Sequence, residues 1–363
     1  MNNENLVRTS CVVFLIAAGI FFLVAAKSIL VPMVIGLFIA FLLLPVCRKM
    51  EKKKFPRSLS ALISITLIGV TITALLWFMS SQFLSFREEL PMMSEKLNMR
   101  IAALQEYVTA TFGISEQEQL KWMEEQLVSL MSSGGQFAAD IFSATGNFIA
   151  AAALVPIYAF FFIYYRGKIR DFVKMVTPKT KHEKALSILQ TTSTVSYKYL
   201  LGLTIDIAIL SVLNSLGFYL LGINHAVFLG ITAGLLNVIP YVGVLIGSVV
   251  PVILALITKD TIWFAVGALA VCVAVQFLDN NFITPMVIGS AVSVNPLATM
   301  VALLFGGLIW GLAGMMLFIP MLGVLKVFCD RIDPLKPFGY LIGEQERPGT
   351  FGSRRKTNEQ LSA

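Results

Sequence analysis

The sequence predicts an all-α, polytopic transmembrane protein with about eight membrane segments, some of them broken or re-entrant helical hairpins in the C-terminal half. Two observations support this prediction. First, 57% of the 363 residues are hydrophobic, only 13% are charged, and the mean hydropathy is +0.80, which is more apolar than an average soluble domain. Second, the apolar residues occur in blocks of about 16 to 30, and a helix needs about 20 to cross the hydrocarbon core.

Residues 1–81 are expected to form N-terminal transmembrane helices with a basic cytoplasmic loop. The apolar runs 11–26 and 29–46 predict a transmembrane hairpin. A secretory signal peptide also contains a short apolar run near its N-terminus. The second apolar run, only two residues later, favours the hairpin over a cleaved signal. Segment 47–57 contains six basic residues and one Glu, which is typical of a cytoplasmic loop. A third apolar run follows at about 58–81.

The next two regions alternate in charge. Residues 82–145 contain more acidic than basic residues and predict an extramembrane insertion of two amphipathic helices around Gly113, on the outer face. Residues 146–198 return through the membrane at 147–165 and end in a basic segment, which predicts a cytoplasmic location.

Residues 199–330 are almost free of charge and are the predicted transport region, followed by a polar cytoplasmic tail at 331–363. Each of the two long apolar stretches of this region contains one acidic residue, Asp206 in the first and Asp279 in the second. An unpaired carboxylate in a membrane is costly, so both are candidates for carrying a proton or a cation. A structural alternative stays open for each acid. For Asp206 it is a buried acid bonded to a neighbouring helix. For Asp279 it is a helix cap in a solvated loop.

Residues 226–257 contain no charged side chain and would form a helix of about 48 Å, longer than the hydrocarbon core requires. The motif at 237–243 interrupts this run with proline and glycine, and broken backbone in a membrane is tolerated where it lines a cavity. Transporters often bind substrates at such breaks. A packing kink is the alternative, and whether 226–257 spans or re-enters the membrane stays open. The candidate substrate-binding residues here are Asn237, Pro240, Tyr241 and Gly243.

A second polar cluster lies at 276–285, in an otherwise apolar stretch. It surrounds Asp279 with amide side chains and ends at a proline, which predicts a second part of the substrate site. The candidate residues are Gln276, Asn280, Asn281 and Pro285.

Composition argues against enzymatic, metal-dependent and nucleic-acid-binding functions. The chain has two histidines and four scattered cysteines, so no metal site, cofactor site or pair of nucleophile and base is expected. The net charge of +7 is concentrated beside apolar runs, where it marks cytoplasmic ends rather than a nucleic-acid surface. The expected partners are membrane lipid and a small solute.

The second half resembles the autoinducer-2 exporter (AI-2E) family of bacterial permeases. The motifs that carry the resemblance are NVIPYVG at 237–243, QFLDNNFITPMVIG at 276–289, Asn295-Pro296-Leu, and LLFGGLIWGLAGMMLFIPMLGVLK at 303–326. The resemblance is strongest over 195–330. It implies a multi-pass protein of the bacterial inner membrane, a homo-oligomer and specifically a pentamer, with an elevator-like movement of two helical hairpins. It also adds Asn295 to the candidate substrate-binding residues.

The resemblance further implies export of a small polar solute such as autoinducer-2, a quorum-sensing signal. Some members of the family are similar to sodium(lithium)/proton antiporters, which gives Asp206 and Asp279 a role in ion coupling. Two positions depart from the common family pattern, Leu203 in place of Gln and Val244 in place of Pro, and they leave the solute open.

Three functions therefore stay in view. The leading hypothesis is a permease that exports a small polar solute, coupled to protons or sodium. A sodium(lithium)/proton antiporter or a passive, channel-like pore is the second, although nothing resembles a carbonyl filter or a ring of charges. The third is an assembly scaffold that acts through the 82–145 insertion.

Overall fold

The computed structural model describes residues 3–112, 153–239, 242–259, 261–289 and 293–344, and within them it confirms an all-α polytopic membrane protein. Five helices of the described chain are long and apolar enough to cross a membrane, and five shorter apolar helices accompany them. The helices are α1 (Asn3–Ala25), α2 (Lys27–Lys52), α3 (Arg57–Phe112), α4 (Ala153–Tyr164), α5 (Arg166–Val176), α6 (His182–Leu220), α7 (Ala226–Leu236), α8 (Val242–Thr258), α9 (Trp263–Leu278), α10 (Thr284–Val287), α11 (Pro296–Trp310), α12 (Leu312–Arg331) and α13 (Lys336–Ile342).

The chain forms two compact units, residues 1–166 with 200–288, and residues 167–199 with 289–363. Large apolar side chains cover much of the surface of both. Trp77 and Trp263 are each 74% exposed, and Leu308 is 81% exposed. Apolar surface on this scale requires a lipid environment.

Helices α1 and α2 meet at Ala26 without a loop. The Ala26 N–H donates to the Phe22 carbonyl at 2.9 Å, and the Ala26 carbonyl accepts from the Leu30 N–H at 2.9 Å, so helical bonding crosses the junction. The hairpin predicted for residues 11–46 is therefore wrong. A reversal between two helices needs a loop of about 2–5 residues, and the two residues that separate the apolar runs remain helical.

The basic segment after α2 is also more helical than predicted. Helix α2 continues to Lys52, so only 53–56 remain of the loop predicted at 47–57. Lysine and arginine are good helix formers, and basic side chains in the last turn interact favourably with the helix dipole. Glu51 in this turn forms an ion pair with Arg166.

Helix α3 has 56 residues and runs without interruption across the border predicted at residue 81. The first amphipathic helix of the 82–145 insertion is therefore a continuation of the third span, not a separate helix. The helix is described as far as Phe112, and Gly113, where the sequence predicts a break, lies outside the described residues. At 1.5 Å per residue the helix is about 84 Å long, far more than a bilayer requires. The second predicted helix of the insertion lies outside the described residues.

In the first unit, α7 and α8 form an antiparallel hairpin. The helices pack closely, since a Cβ atom on Gly247 would lie 3.1 Å from Ala233 Cα. The core around the hairpin combines side chains from α6, α7, α8 and α9. Its buried members include Phe218, Leu229, Leu254 and Ala268.

In the second unit, α11 and α12 form another hairpin that turns at Gly311, whose φ of +62° favours glycine. A Cβ atom on Gly314 would lie 1.9 Å from the Gly306 carbonyl oxygen, so the two backbones touch. The two hairpins confirm the prediction of helical hairpins in the C-terminal half.

The border predicted between 146–198 and 199–330 falls inside α6, which begins at His182. The division between the two compact units, after residue 199, lies within one residue of that border. The first part of the tail predicted at 331–363 is structured, because α13 packs against α12 and a carboxylate oxygen of Asp330 lies 2.4 Å from a Cβ atom built on Gly339. Residues 345–363 lie outside the described residues.

Candidate functional site

The break predicted at 237–243 is a reversal of the chain. Asn237 follows the last residue of α7, and Gly243 lies in the first turn of α8. Helices of 11 and 17 residues are each shorter than the roughly 20 residues that a full crossing requires. The structure thus favours a re-entrant hairpin over a broken span. Pro240 and Tyr241 lie outside the described residues.

The second polar cluster is helical, not a loop. After α9 the chain makes one π-helical turn at Asp279–Ile283 and continues directly into α10. The Thr284 N–H closes this turn on the Asp279 carbonyl. A π turn inserts an extra residue into a helix and is frequent at functional sites. The alternative of a solvated loop at Asp279 is wrong, since only 2% of this residue is exposed.

The two isolated acids of the second half form a buried pair. Asp206 on α6 is 3% exposed, and its carboxyl group lies close enough to that of Asp279 for the two to interact electrostatically. Two ionised carboxylates repel each other, and a positive charge nearby relieves this repulsion. None of the ion pairs among the described residues includes either acid. Such a pair of buried acids has the chemistry to bind a proton or a cation.

Three side chains orient the Asp279 carboxyl group. Asn237 at the hairpin tip donates from Nδ2 to Asp279 Oδ2 at 3.1 Å, and Gln276 donates to the same oxygen at 3.3 Å. Thr284 donates from Oγ1 to Asp279 Oδ1 at 2.7 Å. The Asp206 Oδ1 atom is buried and has no hydrogen-bond partner among the described residues. The two predicted motifs thus meet directly, with the tip of the α7–α8 hairpin bonded to the acid pair.

A cavity of about 30 Å³ lies beside this cluster. Its polar lining comes from four segments of the chain, and Gly247 also lines it. Such a volume holds a single water molecule or an ion of similar size. The polar residues that line it are Asn214, Asn237, Ser248 and Gln276.

The remaining predicted residues lie apart from the buried pair. Asn280 accepts a hydrogen bond from Gln276 and Asn281 bonds to the Phe277 carbonyl, and both are exposed, as is Pro285. Their contact with a solute stays a prediction.

Asn295, in the second unit, uses its side-chain amide to bond to backbone groups of the protein. Its Oδ1 atom accepts from the Ala298 N–H at 2.8 Å and caps α11, while Nδ2 donates to the carbonyls of Leu341 at 2.7 Å and Gly343 at 3.1 Å. These bonds account for its amide without a solute, and its predicted contact with one stays untested.

Sequence reasoning did not assign Asn214, Ser248 and Thr284 to the site. A signal existed for Asn214, which follows Asp206 by two helical turns on the same face. Thr284 lies within the polar cluster predicted at 276–285. Ser248 carries no such signal, because serine is common in transmembrane helices and usually bonds to its own backbone.

Within the described residues, no group of three His, Cys, Asp or Glu side chains is placed to hold a metal ion. The site therefore offers oxygen and amide groups around one acid pair. Groups of this kind are able to bind a proton or a cation.

Comparisons with known proteins agree with the resemblance noted above. The AI-2E family transporter profile matches residues 10–333. The candidate transport protein YrrI of Bacillus subtilis is 27% identical over 330 residues, which cover 87% of this chain and 93% of that relative. The AI-2 transport protein TqsA of Escherichia coli is 21% identical over 332 residues, which cover 91% of this chain and 93% of TqsA.

Proposed function

This chain belongs to the AI-2E family of membrane transporters, and from that premise we propose that it exports a small polar solute such as autoinducer-2 from the cytoplasm. We further propose that it acts in the inner membrane as a homo-oligomer, a pentamer by family resemblance, and that Asp206 and Asp279 couple transport to a proton or sodium gradient. Catalysis is not part of the proposal, because the related proteins are named for transport.

The observation that supports coupling is the bond between the hairpin tip and the acid pair. Asn237 donates to Asp279, and the carboxyl group of Asp279 interacts electrostatically with that of Asp206. Whether the pair holds a proton, a cation or neither changes the charge that the tip amide faces. The position of the α7–α8 hairpin therefore depends on the occupancy of the pair, which is the link that coupled transport needs.

The experiment uses the purified full-length protein in liposomes with labelled autoinducer-2 as the probe. Solute flux is measured with and without imposed proton and sodium gradients, for the wild type and for Asp279→Asn. We expect saturable flux that a gradient accelerates in the wild type and does not accelerate in the variant, because an amide cannot exchange a proton. Asp333→Asn, which changes an exposed acid outside the cluster, is the matched control.

The proposal fails if the wild type gives no saturable flux, and its coupling part fails if Asp279→Asn responds to gradients as the wild type does. Flux that never saturates would favour the passive pore instead. Size-exclusion profiles and thermal unfolding confirm that each variant is folded.

A sodium(lithium)/proton antiporter is the second candidate, and the cavity favours it. The space beside the acid pair, about 30 Å³, matches an ion and is too small for an organic solute. An antiporter would move sodium against a pH gradient in liposomes that contain no organic solute, which the first candidate would not do.

A further inference from the structure

The cavity beside the acid pair is lined by four polar side chains whose oxygen atoms accept no hydrogen bond from the described residues. Asn237 and Gln276 both direct their amide nitrogens to Asp279 Oδ2, and this assignment follows from the chemistry, since a carboxylate only accepts. Among the described residues, no donor contacts the amide oxygen of either side chain. These oxygens are the groups that the two residues can offer to the cavity that they line.

The other two polar lining residues also donate their hydrogens elsewhere, to backbone carbonyls of their own helices. Asn214 is 7% exposed, and its Nδ2 atom donates to the Leu210 carbonyl at 2.9 Å. Ser248 donates its hydroxyl hydrogen to the carbonyls of Val244 at 2.9 Å and Leu245 at 3.0 Å. The Asn214 amide oxygen and the Ser248 hydroxyl lone pairs have no donor within the described part of the chain. All four side chains therefore present acceptors.

Four acceptors around one small space favour a cation over water. A water molecule donates only two hydrogen bonds, so it leaves buried oxygens unsatisfied, whereas a cation attracts every oxygen at once. The Asp279 carboxyl group, one hydrogen bond away through Asn237 and Gln276, adds negative potential. A divalent ion usually takes several carboxylate ligands, and only amides and one hydroxyl line this cavity on its polar side.

We propose that this cavity is a binding site for one dehydrated monovalent alkali cation, with Asn214, Asn237, Ser248 and Gln276 as oxygen ligands. The inference rests on the proposed coupling of transport to a cation and names the residues that hold it. Gly247 also lines the cavity, and its missing side chain lets α8 pack closely against Ala233.

The test measures Na⁺ binding to the full-length protein in detergent, where no gradient and no solute are present. Radioactive sodium is titrated at constant ionic strength, with N-methyl-D-glucamine, too large for the cavity, as the replacing cation. We expect one saturable site per chain and a higher Tm in sodium than in N-methyl-D-glucamine, because an ion that binds only the folded state stabilises it.

Two variants each remove a ligand without changing the acid pair. Asn214→Leu replaces the amide with an apolar group of similar size, and Ser248→Ala removes one hydroxyl. Each is expected to weaken sodium binding about tenfold, the effect of losing one polar contact. The matched control is Thr258→Val, because Thr258 on the same helix makes the same kind of bond to a backbone carbonyl, that of Leu254 at 2.7 Å, and does not line the cavity.

Sodium binding that is absent in the wild type, or that is unchanged in both variants, would overturn the inference. A loss of equal size in Thr258→Val would also overturn it, since the effect would then come from helix stability. The proposed function is tested separately by flux. Normal sodium binding without solute flux would contradict that proposal alone, and solute flux without sodium binding would contradict this inference alone.

Discussion

The glycine at the hairpin tip offers the sharpest test of the site geometry. A Cβ atom on Gly243 would lie 1.7 Å from the carbonyl oxygen of Leu236, and real contacts essentially never fall below 3.0 Å. Gly243→Ala must therefore separate the ends of α7 and α8 by about 1.3 Å or more. Leu236 immediately precedes Asn237, so the tip amide moves with it.

The hydrogen bond between Asn237 and Asp279 cannot absorb this displacement. It is 3.1 Å long and tolerates an increase of only about 0.4 Å before it is lost. Overpacking of this kind costs about 1–3 kcal/mol. We therefore expect a reduced Tm together with a loss of gradient-driven flux.

The assay compares flux in liposomes and Tm in detergent for the wild type, Gly243→Ala and Gly69→Ala. Gly69 lies in α3, and an added Cβ atom there meets nothing within 4 Å, so this control is expected to keep wild-type flux and Tm. The reasoning is refuted if Gly243→Ala also keeps wild-type flux and Tm. The two helix ends could then move apart without breaking the bond between Asn237 and Asp279, or that bond would not matter for transport.

Three further predictions concern the second unit. Asn295→Ala removes the cap of α11 and two bonds to carbonyls at the C-terminal end of α13, so it should reduce stability by about 1–3 kcal/mol in thermal or denaturant unfolding, with no change in the solute concentration that half-saturates flux. Gly314→Ala should lower the Tm by several degrees, since its Cβ atom would lie 1.9 Å from a backbone oxygen of α11. Asp333 bonds to Lys336 and Lys184, which lower its pKa to about 2. Its charge should therefore stabilise the fold fully above about pH 4 and lose this effect as the pH falls toward 2, visible as a Tm difference between the wild type and Asp333→Asn that shrinks with acidity.

Each of these predictions has an opposite result that would contradict it. A weaker apparent affinity for solute in Asn295→Ala, with unchanged stability, would support the earlier assignment of this residue to the substrate site. An unchanged Tm in Gly314→Ala would mean that the α11–α12 hairpin is looser than its geometry indicates. A Tm difference at Asp333 that stays constant from pH 4 to pH 2 would separate its effect from its charge.

Part of the fold was predictable because local chemistry determines it. Proline and glycine at 237–243 cannot continue a helix, so the break was visible in the sequence. The hairpin predicted at 11–46 was wrong because no helix-breaking residue separates the two apolar runs. The two polar residues between the apolar runs do not break a helix, and the chain continues through Ala26 with its hydrogen bonds intact.

The candidate site was only half predictable. Two lone acids in apolar stretches are costly in a membrane, so the sequence marked Asp206 and Asp279 as functional candidates without showing what surrounds them. The π turn at Asp279 and the small cavity depend on how α6, α8 and α9 pack, and no periodicity in one chain encodes that packing.

The sequence by itself determined that this protein lies in a membrane, since so apolar a chain requires lipid. It also determined where the hairpin at 237–243 breaks the helix and which acids are isolated in apolar stretches. Only the tertiary structure decided that Asp206 and Asp279 lie together and that Asn237 at the hairpin tip bonds to Asp279. The physical reason is that burial cost is a property of each residue, whereas relief of that cost depends on which distant residue the fold brings within hydrogen-bonding distance.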